Sequence, residues 1–576
     1  MSITRYEMTI HLVTDSPLHS GGIDEVVDRS RQGSERVAVP RRFARDGNGH
    51  PILTGRSVKG AVRAACEEYL CGDVGDAVRE QLGSDWKGLW GTTSSGESRA
   101  ATLTFHTVDL AEAAQREDGS TWKPGAAGVG AADAHPAADS VALATRTGIA
   151  VNRYWGAAGD TALFEHEYVP AGLPLTLTIT AQTGRMSTSG GETQPEAAGP
   201  EPATESHVEQ LFALIIGLLK SGRVAFGGRR NAGWGRVRLA DHRPWTLTRS
   251  RLGTREELLT WLDGGEDVTT AIDPVACTES ERIRITISWD SPTGILVAEP
   301  RPDRTERDEH AREGERGRSD DQQPNNYAEP LRSGPHPSAP LVLPGSSVRG
   351  ALRSRASRIA RTVLAARQPD SVDTWSGLGV HDQLTADPAL VRDLFGSTNR
   401  RGALSVLDTL ASGRTRLRTV LHNAGDRWTG GVAEGLLYGE KVPDTTWNDL
   451  VLELDPRSLP GTGDRRRAAW CLLGLTLAEL ATGTLPLGSR GTRGLGQVHV
   501  TRVRVDGGAD VVGEPWDLTA PAGTATDLGD GAEAASIAAQ VLSRLRALTI
   551  ASNPEADVSW TGWSSYLCET KESSRD

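Results

Sequence analysis

The chain has 576 residues, of which 37% are hydrophobic and 24% charged, and a net charge of −12. That length supports more than one buried core, and the lack of any apolar run of about 18 residues excludes a membrane-spanning helix. The acidic average excludes a uniformly basic nucleic-acid binder, so any such binding must come from local clusters. Five cysteines show neither paired metal spacing nor a disulfide framework, which predicts a reducing, cytoplasmic setting without structural zinc.

In chain order, Tyr6 to Val13 has strand character and ends at Ser16-Pro-Leu-His-Ser-Gly-Gly22, so the start reads as a strand rather than a leader. The apolar Pro51-Ile-Leu53 leads into Thr54-Gly-Arg-Ser-Val-Lys-Gly-Ala-Val-Arg63. There Val58, Val62, Ala65 and Tyr69 fall at helical spacing. Residues 186–206 are rich in Gly, Pro, Glu and Thr and are expected to form a disordered insert. An apolar helix is predicted over Val208–Leu219 and a short one over Leu258–Leu262.

Arg282 to Ser288 alternates as a strand, residues 300–337 form a charged loop, and a second apolar helix covers Ala468–Ala481. Beyond a Gly/Pro/Asp-rich linker, Ile537, Val541, Leu545 and Leu548 make one amphipathic stripe. These elements divide the chain into a first domain (1–249), a linker (250–280), a second domain (281–505) and a C-terminal linker and helix (506–576).

The two domains repeat one another. Thr54 to Arg63 is answered by Pro344-Gly-Ser-Ser-Val-Arg-Gly-Ala-Leu-Arg353, and Leu89-Trp-Gly91 by Leu394-Phe-Gly396. Val151-Asn-Arg-Tyr-Trp-Gly156 is answered by His422-Asn423 with Asp426-Arg-Trp-Thr-Gly430. Gly227-Gly-Arg-Arg-Asn-Ala-Gly-Trp-Gly-Arg-Val237 is answered by Gly488-Ser-Arg-Gly-Thr-Arg-Gly-Leu-Gly-Gln-Val498. Four matches in the same order indicate two copies of one domain. Strand–helix–strand units alternating with hairpins predict an α+β fold, a ferredoxin-like split βαβ sheet with long inserted hairpins.

Strand, glycine turn and helix start form an anion site. Arg56, Lys59 and Arg63 in one copy, and Arg349 and Arg353 in the other, add basic charge on the helix. A phosphate-holding element used twice suggests nucleic acid. Glycines let backbone approach phosphate closely, and Arg229, Arg230, Arg490 and Arg493 in the later glycine segments add charge-assisted hydrogen bonds. Arg153 with Trp155, and Arg427 with Trp428, place an arginine beside an aromatic at each hairpin. Such pairs stack on bases, or else pack on their own hairpin or on a neighbouring subunit. His19 and His11 admit metal-free acid–base cleavage, although a loop histidine more commonly bonds backbone. His422 beside the second hairpin reads the same way.

The set of motifs resembles the RAMP superfamily, and more narrowly the backbone subunits of type III CRISPR RNA-guided effector complexes, here as a tandem fusion. The resemblance rests on Pro17-Leu-His-Ser-Gly-Gly22, Thr54 to Gly60, the Arg146-to-Arg153 hairpin with Leu163-Phe-Glu165 and Tyr168-Val-Pro-Ala-Gly172, and Gly227 to Gly235. It implies two RRM-like domains with thumb hairpins and a C-terminal helical tail. It also implies binding of guide RNA and single-stranded target RNA, assembly with other effector subunits, and no membrane partner. In relatives an aspartate of the first loop supports metal-dependent cleavage of target RNA. Here Asp28 best matches that context, with Asp24 as the alternative register, and Asp28 would hold Mg²⁺ or another divalent cation. In the second copy Asp303, Asp308, Asp320 and Asp321 lie in the charged insert. Two other readings stay open: a non-cleaving RNA scaffold, and a histidine-dependent ribonuclease that processes guide precursors.

Overall fold

The computed structural model describes residues 3–22, 41–71, 75–83, 86–94, 97–110, 143–184, 204–277, 282–299, 327–334, 336–367, 375–520, 536–556 and 560–568. The chain forms two compact units, one of residues 1–146 and 164–280, the other of residues 147–163 and 281–576. The connector therefore belongs to the first unit and the C-terminal tail to the second. Most of the expected disordered insert and most of the charged loop lie outside the described residues.

In the first unit β1 (Thr4–Thr14) alternates buried and partly exposed residues along its length, as a half-buried strand must. Helix α1 (Gly55–Leu70) starts at Thr54, whose hydroxyl caps Ser57, and buries Val58, Val62, Ala65 and Tyr69 as their spacing predicts. A short α2 (Asp76–Leu82) follows, then β2 (Leu103–Phe105). A long hairpin of β3 (Ala144–Asn152) and β4 (Ala157–Tyr168), whose outer part, residues 147–163, groups with the second unit, precedes β5 (Pro174–Thr183). Helix α3 (Glu205–Lys220) buries its whole middle, Leu211 to Leu219. It begins at Thr204, inside the stretch expected to be disordered. Strands β6 (Val237–Leu239) and β7 (Trp245–Arg251) follow, and then the expected short helix, over Arg255–Leu262.

The sheet order is β7–β1–β5–β2, with the two-residue strand Glu266–Asp267 on the outer side of β7 and β6 also on β1, all antiparallel. That is a ferredoxin-like sheet with the first strand at its centre. Strand β7 crosses the boundary drawn at residue 249, because its register on β1 continues to Arg251.

The second unit repeats the plan. Its central β8 (Ile283–Asp290) is followed by a two-residue strand, Tyr327–Ala328, inside the segment read as a loop. Then come α4 (Gly345–Arg367), α5 (Val380–Thr385), α6 (Ala389–Phe395) and β9 (Leu404–Val406). The hairpin of β10 (Thr409–Gly425) and β11 (Val432–Trp447) is longer than its first counterpart. Strand β12 (Leu450–Leu454), the buried α7 (Gly463–Ala481), β13 (His499–Asp506) and β14 (Trp516–Thr519) close the sheet in the order β9–β12–β8–β13–β14. The amphipathic stripe forms α8 (Ile537–Arg546), which packs Leu545 onto Gly474 of α7.

Two glycines show why the repeated motifs survive in both copies. A Cβ on Gly55 would sit 2.0 Å from the Phe105 carbonyl oxygen, and one on Gly345 would sit 2.1 Å from that of Val406. Each long helix thus begins pressed against the neighbouring edge strand. The fold, not a ligand, demands these two glycines.

Candidate nucleic-acid interface

The glycine segments take the same backbone path in both units. Arg229 and Arg490 are left-handed, at φ 57° and 66°, and each opens a single 3-10 turn ended by Gly233 or Gly494. Gly235 and Gly496 follow, their absent Cβ atoms aimed at the Phe226 and Leu487 carbonyls. The loop in turn hangs on the segment after the first strand: Gly235 donates to Pro17 and Gly496 to Gly294. Those bonds equate Leu18–His19 with Ile295–Leu296, so the second copy holds a leucine where the first holds His19.

The arginines of these loops grip their own hairpins. The Arg229 guanidinium donates to His166 Nδ1 at 2.9 Å and lies over Phe164 and Trp234. Arg146 also lies over the Trp234 ring system, and over Tyr168. The result is an alternating run of cations and rings joining hairpin base to glycine loop. In the second unit Glu440 takes the place of His166, accepting from Arg490 Nε at 2.5 Å and Arg493 Nη1 at 3.1 Å. Arg493 also lies over Tyr438, on which His422 stacks. Arg230 bonds the Gly227 carbonyl.

His19 and His166 stand edge to face, 5.1 Å between ring centres. His19 is buried and its Nδ1 meets the Glu167 carbonyl at 2.7 Å, the backbone-bonded loop histidine. Burial, aided by Arg229, pushes His166 down to about 3, and burial likewise lowers His19.

Three arginines expected on RNA are instead internal. Arg349 donates to the carbonyls of Leu404 and Phe395, and Arg353 to the Asp387 carboxylate and to the Phe395 and Gly396 carbonyls. Both tie off the C-terminal end of α6, where unpaired carbonyls attract cations. The Gly345 N–H, at the start of the helix expected to hold phosphate, is taken by Asp408 at 2.8 Å. Arg153 is bound to Asp387 by Nη1 at 2.6 and 2.8 Å and lies over Trp375. Arg153 and Arg353 supply the charge that the Asp387 carboxylate, wholly inaccessible, needs.

In the first copy Arg56 is exposed, Lys59 is half-buried, which lowers it, and Arg63 pairs with Glu67 at 2.8 Å. Gly60 and Gly350, five residues into their helices, are exposed, and a Cβ on either would meet nothing. Helix-interior glycine costs ~1 kcal/mol against alanine, and nothing among the described residues asks for it there. Bare backbone at both points admits a ligand to the helix surface.

The hairpin tips share one turn. Asn152 and Asp426 each cap the N–H groups two and three residues on, and Gly156 and Gly430 return to their carbonyls at 2.8 Å. This register equates Arg153 with Arg427 and Tyr154 with Trp428, so Trp155 answers Thr429 rather than Trp428. Trp428 is 95% exposed and Trp155 67%. The second hairpin also carries exposed Arg414, Arg416 and Arg418, the last two sharing a face of β10 by period-2 alternation. The run Arg414-Thr-Arg-Leu-Arg418 carried that signal in the sequence.

The RAMP superfamily model matches residues 11–238 and 339–499, well over half of the chain and once in each copy. The chain belongs to the RAMP superfamily. Its two RAMP domains are tandem, and the family brings a CRISPR-associated RNA-binding role in complexes with other subunits. No curated protein matches at a significant level. No helix among the described residues is long and apolar enough to cross a membrane. Asp24 and Asp28, with the aspartates of the second insert, lie outside the described residues. Among the described residues no three His, Cys, Asp or Glu side chains are grouped to hold a metal ion.

Proposed function

We propose that the chain is a double backbone subunit of a type III CRISPR effector complex in the cytoplasm, holding guide RNA along both domains while target RNA pairs with it. The observation that carries the RNA path is the pair Gly60 and Gly350, open helix backbone at one point of both copies where a Cβ would meet nothing among the described residues. Around it Arg56 and Lys59 supply charge in the first copy. The exposed hairpin tips offer Trp155 and Trp428 as stacking surfaces, and Arg416 and Arg418 supply charge along the second hairpin.

Cleavage of the target is assigned to the first loop, with Asp28, or Asp24 in the other register, as the carboxylate. A divalent cation such as Mg²⁺ held there would stabilise charge developing on the scissile phosphate. The chain's own part is to grip the strand on both sides so that one 2′-OH is aligned with its phosphate. The backbone reading is tested by filter binding of single-stranded RNA to Gly60→Leu/Gly350→Leu. A leucine at these open positions should weaken binding at least tenfold without lowering the melting temperature. Unchanged affinity removes the helix starts from the RNA path.

A further inference from the structure

Among the described residues, the exposed large apolar side chains gather in three places: the two hairpins and the connector helix, Arg255–Leu262. The hairpins belong to the RNA path proposed above, and the helix does not. Its Leu258, Leu259, Trp261 and Leu262 are 44%, 52%, 42% and 71% exposed, and no residue of the helix is buried. At about 3.6 residues per turn, these four side chains fall within one half of the helix surface.

Eight residues are too few to hold a helix by themselves. A capping box, in which Thr254 and Glu257 each bond the other's backbone, and the contact with β7 keep it formed. The chain thus holds a preformed apolar helix face in water, and such a face marks an interaction surface. RNA does not fit it, because Glu256 and Asp263 flank the face and Arg255 is the one cation of the helix.

The charges at the helix ends identify what does fit. Arg255 stands in the first turn and Asp263 is the C-cap, so each lies at the end of the dipole that disfavours it. Both are exposed, and neither has a side-chain partner among the described residues. An antiparallel helix of the same sequence reverses this. Arg255 and Asp263 lie four residues to either side of Leu259. A two-fold axis at Leu259 therefore sets Arg255 of each copy opposite Asp263 of the other. Each charge then also meets the favourable end of the other dipole.

We infer that this helix face binds the same face of a second copy of the chain, as an antiparallel pair about a two-fold axis. The surface is self-complementary, so the contact is isologous and closes at the dimer. It is small beside a standard interface, so the dimer is a weak one. The inference is tested without RNA and holds or fails apart from the proposed function.

The experiment is sedimentation velocity on the full chain at low salt, from micromolar to hundreds of micromolar. Wild type should pass from monomer to dimer with nothing larger. Leu259→Glu/Leu262→Glu should weaken the dimer at least tenfold. Arg255→Glu sets acid against acid and Asp263→Arg sets base against base, so each alone should weaken it as much. Both charge changes suit the helix dipole, so each variant should melt no lower than wild type. Mixed in equal amounts, these two single variants regain both ion pairs and should dimerise as wild type does. A wild type that stays monomeric throughout overturns the inference. So does a dimer that survives Leu259→Glu/Leu262→Glu, or a mixture no better than either variant alone. Multimers beyond the dimer would show a heterologous contact and overturn it too.

Discussion

Arg229 holds His166 at 2.9 Å in the first unit where Arg490 holds Glu440 at 2.5 Å in the second. Both arginines adopt the left-handed conformation that non-glycine residues avoid. The clamp between loop and hairpin offsets that cost in each copy, but its chemistry differs. A guanidinium against a carboxylate is an ion pair; against a buried histidine it requires the neutral ring.

This difference predicts an acid-sensitive first unit. The folded pKa values of His166 and His19 lie below the unfolded value of roughly 6.5. The unfolded chain therefore binds more protons in that range. The contribution is fully present above the unfolded value and is lost as pH falls toward about 3, the folded value of His166. Each histidine adds a slope of up to ~1.4 kcal/mol per pH unit. Urea unfolding at pH 7 and pH 5 should show the loss. His166→Glu, which copies the second unit's pairing, should shrink it. An unaltered slope in that variant would place the sensitivity elsewhere.

The glycines divide by sign. Gly55→Ala and Gly345→Ala place a Cβ about 2 Å from a carbonyl oxygen and should cost several kcal/mol through backbone displacement. Gly60→Ala and Gly350→Ala meet open space and should stabilise by ~0.5–1 kcal/mol. Thermal melts of the four single variants check the contrast. A destabilised Gly60→Ala would mean that the helix is strained there.

Asp387 is the hub of the second unit's internal charges. It accepts from Arg153, Arg353 and Ser357 with its side chain wholly buried. Asp387→Ala leaves two guanidinium groups buried without a counter-charge and should cost about 3–5 kcal/mol. Asp387→Asn keeps the shape and should still lose most of that. Chemical denaturation followed by tryptophan fluorescence measures both. A loss below about 1 kcal/mol would show that water replaces the carboxylate.

The architecture was legible in the sequence because periodicity and order encode it. Alternation in β1 and β8, the helical spacing of Val58, Val62, Ala65 and Tyr69, and four motifs repeated in order all lead to two ferredoxin-like domains with inserted hairpins. The direction of the arginines was not legible. Arg349 and Arg353 sit four apart on a helix whichever way they point. Only the position of α6, whose terminal carbonyls and preceding Asp387 face them, turns them inward. Arg153 and Arg427 hold the same place in the same turn, yet one is bound and the other has no side-chain partner among the described residues, because the acceptor lies about 230 residues from Arg153.

That division sets a test by salt. Arg416→Gln/Arg418→Gln removes two exposed charges from the second hairpin. With a slope of about −0.7 per phosphate neutralised on single strands, the dependence of log K on log salt should flatten by about 1.4. Arg349→Gln should leave the slope alone and lower stability instead. Filter binding from 50 to 300 mM salt separates the two. A flattened slope with Arg349→Gln would return that residue to the RNA surface.

The proposed cleavage has its own test. Metal-assisted cleavage needs a carboxylate near the scissile phosphate, and Asp28 is the acid whose neighbours match the family context. A carboxylate repels phosphate, so Asp28→Ala should leave RNA binding intact or slightly tighter. A labelled target incubated with assembled complex and Mg²⁺ should lose the cut beneath the first hairpin in Asp28→Ala. Any cut beneath the second hairpin should persist, because the two loops come from separate copies. Loss of the first cut with Asp24→Ala instead would move the site to the other register. Identical band patterns for wild type and both variants would leave the first domain a scaffold. A cut that persists in EDTA but vanishes in His19→Ala would point to histidine chemistry. Since Leu296 stands where His19 would be in the second copy, that chemistry would belong to the first domain alone.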